Sequence, residues 1–213
     1  MNLFNYNTND FPFRELLEKL FQTNDLSSLK ENVGVFSRDK DQNTKYHKLY
    51  YEWARSKEFS LLYEKFINEV ISPLYNEPIV YQSIPTFRIA YPNNIAVGEF
   101  HKDKNYRDID WALKVQEDNF FLPFTDAFDT NTIWVESEED KGDYQPMNCK
   151  YGECIQWDGS NLKHGNKINK TGKSRISVDF RVMKYSNYVP SDYGSINTKT
   201  KFKIDGYYKT TNK

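Results

Sequence analysis

After Pro78 the apolar residues of this chain stop recurring every three to four positions and begin to alternate, and no other feature narrows the possible folds as far. The runs are IVYQSI, TFRIAY, IAVGEFH, ALKVQ, NFFLPF, TIWVES, ECIQW and RISVDFRVMKY, separated by turn residues such as Pro92, Asn93 and Asn94. At least seven short strands in succession, with few helix-length patterns between them, disfavour a parallel α/β sheet and favour an antiparallel sandwich or barrel of the jelly-roll type. The abundance of aromatics, 16 Tyr and 15 Phe, suits half-buried pleated surfaces.

The first 75 residues read differently. Phe13, Leu16, Leu17, Leu20 and Phe21 lie on one helical face within Pro12 to Leu29, with Asp10 placed to cap and Pro12 near the first turn. A longer stripe runs from His47 to Leu74 and is ended by Pro73. The expected organisation is one domain over 1–213: a helical flank (1–75), an all-β core (78–184) and a polar C-terminal extension (187–213) that packs on an edge or lies partly loose. The acidic, turn-rich stretch from Glu136 to Lys150 reads as a long surface loop.

With 29 basic against 30 acidic residues the net charge is −1, so no strong field draws the chain to nucleic acid or an anionic membrane. No apolar run is long enough to span a bilayer and the N-terminus lacks a secretory pattern, so the default is a cytoplasmic protein with a small-molecule partner. Oligomeric state cannot be read. The only cysteines, Cys149 and Cys154, fit neither a disulfide framework nor half of a zinc site and read as ordinary reduced thiols.

Three histidines remain to be explained. His47, at the start of the long helical stripe, reads as structural or exposed. His101 stands in EFHKDKNYRD with Asp103 two positions on, where strand alternation lets both project toward one point. His164 follows in NLKHGNKINK, 61 residues beyond Asp103. Two imidazoles and one carboxylate on one face of an octahedron leave three positions open, which suits non-haem Fe(II) chemistry that must admit a cosubstrate and dioxygen. Eleven residues after His164, Arg175 offers a planar fork matched to a carboxylate, and Ser177 adds a hydroxyl from the same strand face.

That combination, HKD, a distant His, and Arg-x-Ser eleven residues after it, resembles the Fe(II)/2-oxoglutarate-dependent dioxygenase superfamily over roughly residues 80 to 184. The phrases FLPFT, TIWVES, QWDGSNLKHGN and NKTGKSRISVDFRV resemble, more narrowly, a branch that includes streptomycin-biosynthesis-type oxygenases and amino-acid oxygenases and halogenases. The resemblance implies a double-stranded β-helix (cupin-like jelly roll), with His101, Asp103 and His164 on Fe(II), and Arg175 with Ser177 on 2-oxoglutarate. It also implies dioxygen as oxidant, succinate and CO2 as products, and hydroxylation of a small polar metabolite such as an amino acid, a sugar or a natural-product intermediate. Halogenating members replace the carboxylate with a small residue, and this chain keeps Asp103. A jelly-roll binding protein without turnover and a peptide or protein side-chain hydroxylase are the competing expectations. Arg88 is expected near the cosubstrate, and Tyr91, Trp134 and Arg181 near the substrate. Each also has a plain reading as a packed or ion-paired side chain, Arg181 with Asp179 or Glu99. The segment from Lys104 to Trp111 reads either as a lid or as a solvated loop.

Overall fold

The computed structural model describes residues 1–31, 43–96, 99–106, 111, 114–195 and 200–211. Helix α1 (Phe13–Phe21) buries Phe13, Leu17 and Phe21, four residues apart, and closes at Gln22 in the left-handed conformation. Asp10 does not cap it. Pro12 occupies the cap position without a side-chain hydrogen bond, and Asp10 instead accepts from Asn7 Nδ2. The single stripe from His47 to Leu74 is divided into α2 (Lys45–Ala54) and α3 (Lys57–Phe66), a π turn and a short 3-10 turn. Ser56 causes the division, because its hydroxyl accepts from Phe59 N–H and begins a new helix.

The described residues hold ten strands: β1 (Asn2–Asn5), β2 (Ile79–Gln82), β3 (Thr86–Ala90), β4 (Asp118–Pro123), β5 (Ile133–Val135), β6 (Gln145–Pro146), β7 (Glu153–Trp157), β8 (His164–Asn166), β9 (Arg175–Lys184) and β10 (Tyr208–Thr210). Their pairings are antiparallel. The larger sheet runs β1-β7-β4-β9-β2-β10, with β3 also on β9, and the smaller runs β6-β5-β8. Long β9 lies within the larger sheet, where one of its edges pairs with β3 through Arg175–Asp179 and with β2 through Val182–Lys184.

Two expected strands are absent among the described residues. Of IAVGEFH only His101 makes a bridge, to His164, and residues 97–98 lie outside the description. ALKVQ forms no strand, with 112–113 likewise outside. Conversely, the N-terminal residues form β1 beside β7, and the C-terminal extension supplies β10 beside β2.

Alternation gives the larger sheet two distinct faces. Ile176, Val178, Phe180 and Val182 join the helices' core with Tyr63, Phe66 and Phe120, where Phe180 and Phe120 stack at 5.1 Å. Each such buried ring contributes about 1.5–3 kcal/mol by leaving water. The opposite parity carries Arg175, Ser177, Asp179 and Arg181. In register with them on β4 and β7 are Asn119, Phe121, Ile155 and Trp157. Phe121, Ile155 and Trp157 pack on Ile133 and Val135 of β5, so this face meets the smaller sheet. The cysteines fall on opposite sides, Cys149 in the inter-sheet cluster and Cys154 in the helix-side core, both free thiols whose pKa burial pushes up.

The acidic stretch after Val135 is not wholly solvated. Glu136 is buried, its carboxylate accepting from the N–H groups of Lys163 and Gly142, while Ser137 to Lys141 stay exposed.

His47 is buried, not exposed. Its ring packs edge-on against Phe87, Nδ1 lies 2.8 Å from the Thr44 hydroxyl, and Nε2 has no partner among the described residues. Burial, and then the Arg88 charge, lower its pKa to about 3. The unfolded chain therefore binds a proton between about pH 6.5 and 3 that the folded chain refuses, so this group removes stability as pH falls through that window. His47→Leu is expected to flatten the stability-against-pH curve there by roughly 1 kcal/mol per pH unit, measured by urea melts. Parallel curves for variant and wild type would refute it.

Candidate metal centre

The site forms where the inner faces of the two sheets approach. His101 and His164 are a hydrogen-bonded antiparallel pair, N–H of each to the carbonyl of the other at 2.8 and 2.9 Å, which brings their rings to 4.5 Å. Asp103 is not on a strand with His101. It opens a 3-10 turn (Asp103–Tyr106), and its N–H donates to Gly159 carbonyl at 3.0 Å. Even so, its Oδ1 stands 3.5 Å from His101 Nε2 and 3.8 Å from His164 Nε2. One ligand atom from each of the three residues lies within 4.8 Å of the others.

The hydrogen bonds also determine which nitrogens face inward. His101 Nδ1 lies 2.8 Å from Glu99 carbonyl and His164 Nδ1 2.9 Å from Leu162 carbonyl. A carbonyl only accepts, so each Nδ1 carries the hydrogen and each neutral ring presents its lone pair at Nε2. Burial lowers the His164 pKa and favours that neutral form. Burial also depresses His101, but the hydrogen bonds to Asp103 and Glu99 outweigh it and leave its pKa raised.

Asp103 Oδ2 accepts from Arg181 Nη2 at 2.7 Å and Asn119 Nδ2 at 2.9 Å, which turns Oδ1 toward the histidines. Gly159 makes room for this arrangement, since a Cβ there would come within 2.6 Å of the Asn119 amide. Two imidazole nitrogens and one carboxylate oxygen, each oriented by a second hydrogen bond, form a donor set that fits a divalent metal.

Arg175 and Ser177 lie farther along the same face of β9, 1% and 0% exposed. The Arg175 guanidinium stands 5.5 Å from the Phe121 ring centroid, and Ser177 Oγ has no hydrogen-bond partner among the described residues. Arg88 is directly opposite Ser177 on β3, with its Nε 3.3 Å from Asp179 Oδ1. A buried hydroxyl and a buried guanidinium on one face fit the carboxylate of an organic acid.

Two of the expected residues are not brought to this site. Tyr91, just past β3 and of opposite parity to Arg88, is buried in the helix-side core. Trp134 sits between inward Ile133 and Val135, on the outer face of β5; Lys167 Nζ covers its ring at 3.1 Å and its Nε1 donates to Asp129 carbonyl. Arg181 reaches the site, but as the partner of Asp103 and, at 3.8 Å, Glu117, not of Asp179 or Glu99. Part of the segment expected as a lid, residues 107–110, lies outside the description. Its flanks are held, Lys104 by Glu139 and Asn161, and Trp111 by Val189 carbonyl and a stacked Phe202. Sequence reading missed Asn119 and Trp157, the latter edge-on to His164 at 4.6 Å.

An antiparallel β core thus carries two histidines, a carboxylate and a buried arginine, and its fold is shared with a known non-haem enzyme. The 2-oxoglutarate-dependent carbocyclase SnoK from nogalamycin biosynthesis matches over 84% of this chain and 76% of its own with a TM-score of 0.51, at 12% identity. No protein-family model matches the chain. The streptomycin biosynthesis protein StrG of Streptomyces griseus is 32% identical over 207 residues, 96% of each chain. This chain belongs to the StrG family.

Proposed function

We propose that the protein is an Fe(II)/2-oxoglutarate-dependent oxygenase, one domain on a double-stranded β-helix, that hydroxylates a small polar metabolite. In balance, a substrate C–H, dioxygen and 2-oxoglutarate become C–OH, succinate and CO2. The observation that carries the reading is the convergence of two Nε2 lone pairs and one carboxylate oxygen, each ring held by a backbone carbonyl through Nδ1. His101, Asp103 and His164 would hold the iron, which when bound would supply the activation of dioxygen.

Arg175 and Ser177 would grip the distal carboxylate of 2-oxoglutarate, and Phe121 beneath the guanidinium keeps water from that end. Retention of Asp103, fixed by Arg181 and Asn119, supports hydroxylation over halogenation, because the carboxylate occupies the place a halide would need. A polar substrate agrees with the half-buried Arg88–Asp179 pair on the same face. It agrees also with the cleft of about 490 Å³ beside His101, lined by Lys102, Lys104, Asn105 and Lys163. Kinship with a streptomycin biosynthesis protein supports a role in metabolite biosynthesis.

The test is anaerobic addition of Fe(II) and 2-oxoglutarate. A weak visible charge-transfer band is expected for wild type and not for His101→Ala. Indistinguishable iron binding by the two proteins, without a band, would sink the proposal.

A further inference from the structure

We infer that the C-terminal strand β10 is a working part of the metal centre: Tyr207 and Tyr208 are positioning residues that act through Arg181 and Glu117 to hold Asp103 in a one-oxygen binding pose. The inference rests on the metal-site reading above.

A carboxylate facing two imidazoles can offer one oxygen or two, and what decides is the grip on the second. Here Arg181 and Asn119 hold Oδ2. Arg181 is the stronger donor, but a guanidinium can also slide across both oxygens of a carboxylate in the fork geometry it favours, and would then compete with a metal. Its position therefore matters, and three contacts on its far side set it. Nη1 donates to Tyr207 Oη at 3.0 Å, Nε lies 3.8 Å from Glu117 Oε2, and the other oxygen of Glu117 accepts a short hydrogen bond from Tyr208 Oη.

Glu117 has a fully buried side chain, and buried carboxylate oxygens need hydrogen-bonding or charged partners in place of water. Tyr208 supplies one of them and Arg181 another. The two tyrosines are 3% and 0% exposed, and they reach this place because β10 pairs with β2, Tyr208 opposite Gln82. Segments as far apart as Asp103 and Tyr208 thus converge behind one oxygen: Asp103 from the turn, Glu117 and Asn119 around the start of β4, Arg181 from β9, Tyr208 from β10 and Tyr207 just before it. Partners of a ligating group that lie one bond out typically affect metal affinity by about 10–100-fold.

Anaerobic titration with Co(II) alone tests this on the full chain, comparing wild type, Tyr207→Phe, Tyr208→Phe and Lys209→Ala. Lys209 lies on β10 but points away, to Ser60 and Glu64, and so reports any effect of merely loosening the strand. Tyr208→Phe is expected to weaken Co(II) binding about tenfold and to alter the visible spectrum of bound Co(II) as Asp103 changes its mode. Tyr207→Phe should act in the same direction and keeps the test alive if Tyr208→Phe does not fold. Lys209→Ala should match wild type. Both tyrosine variants binding like wild type, or Lys209→Ala weakening binding as much as they do, would overturn the inference. Wild type that binds no Co(II) would overturn the metal-site reading instead.

Discussion

Asp103→Ala is expected both to abolish metal binding and to lower the stability of the metal-free protein by on the order of 3 kcal/mol, whereas His164→Ala abolishes metal binding at a smaller cost in stability. The difference lies in what each residue leaves behind. His164 is a neutral ring whose loss vacates a contact with Trp157 and a bond to a carbonyl. Asp103 is the carboxylate nearest Arg181, at 2.7 Å, and its removal leaves that largely buried guanidinium with Glu117 at 3.8 Å as its acidic partner. Truncating one partner of a buried pair is costly because the other charge stays behind. Urea melts of metal-free protein, paired with metal titrations, separate the two effects. Equal stability losses for the two variants would show that Arg181 does not depend on Asp103 as described.

The second large effect concerns Arg175. Arg175→Met is expected to raise the 2-oxoglutarate concentration needed for the charge-transfer band roughly a hundredfold, about 3 kcal/mol, while Fe(II) affinity stays unchanged. Methionine keeps the apolar packing on Phe121 and removes only the fork, so the loss reports on carboxylate recognition. Arg175 opens β9, and Arg181 lies six positions further along the same strand. In space the two stand on one strand face with Ser177 and Asp179 between them, far enough apart for separate duties. An unchanged 2-oxoglutarate requirement would refute the assignment.

Much of this architecture was legible in the chain. The change of period at Pro78 marks where strands begin, and the spacing of His101, Asp103, His164, Arg175 and Ser177 groups residues that the fold brings to one face. Strand parity could have gone further. Arg88 and Tyr91 are three positions apart and cannot share a face of one strand, and Trp134 stands between two apolar residues that must both point inward. What could not be read is what register alone decides. Asn119 reaches Asp103 because β4 pairs with β9 such that Asn119 opposes Arg181, and nothing in NFFLP announces that pairing. The strand Asn2–Asn5 carries only two apolar residues, too few for a periodic signal, and exists because β7 offers it an edge. His101 and Asp103 converge through a bridge and a 3-10 turn and not through the alternation expected of them; the right residues came together by a different local geometry.

The reciprocal hydrogen bonds between His101 and His164 join positions 63 apart in the chain. An ion gripping both would act as a reversible crosslink across that long loop, and its binding free energy would count as folding free energy, because the unfolded chain holds no preformed site. Metal supply would then set how often this region opens as well as how fast it turns over, so a cell short of the ion would hold a protein that is less durable as well as less active.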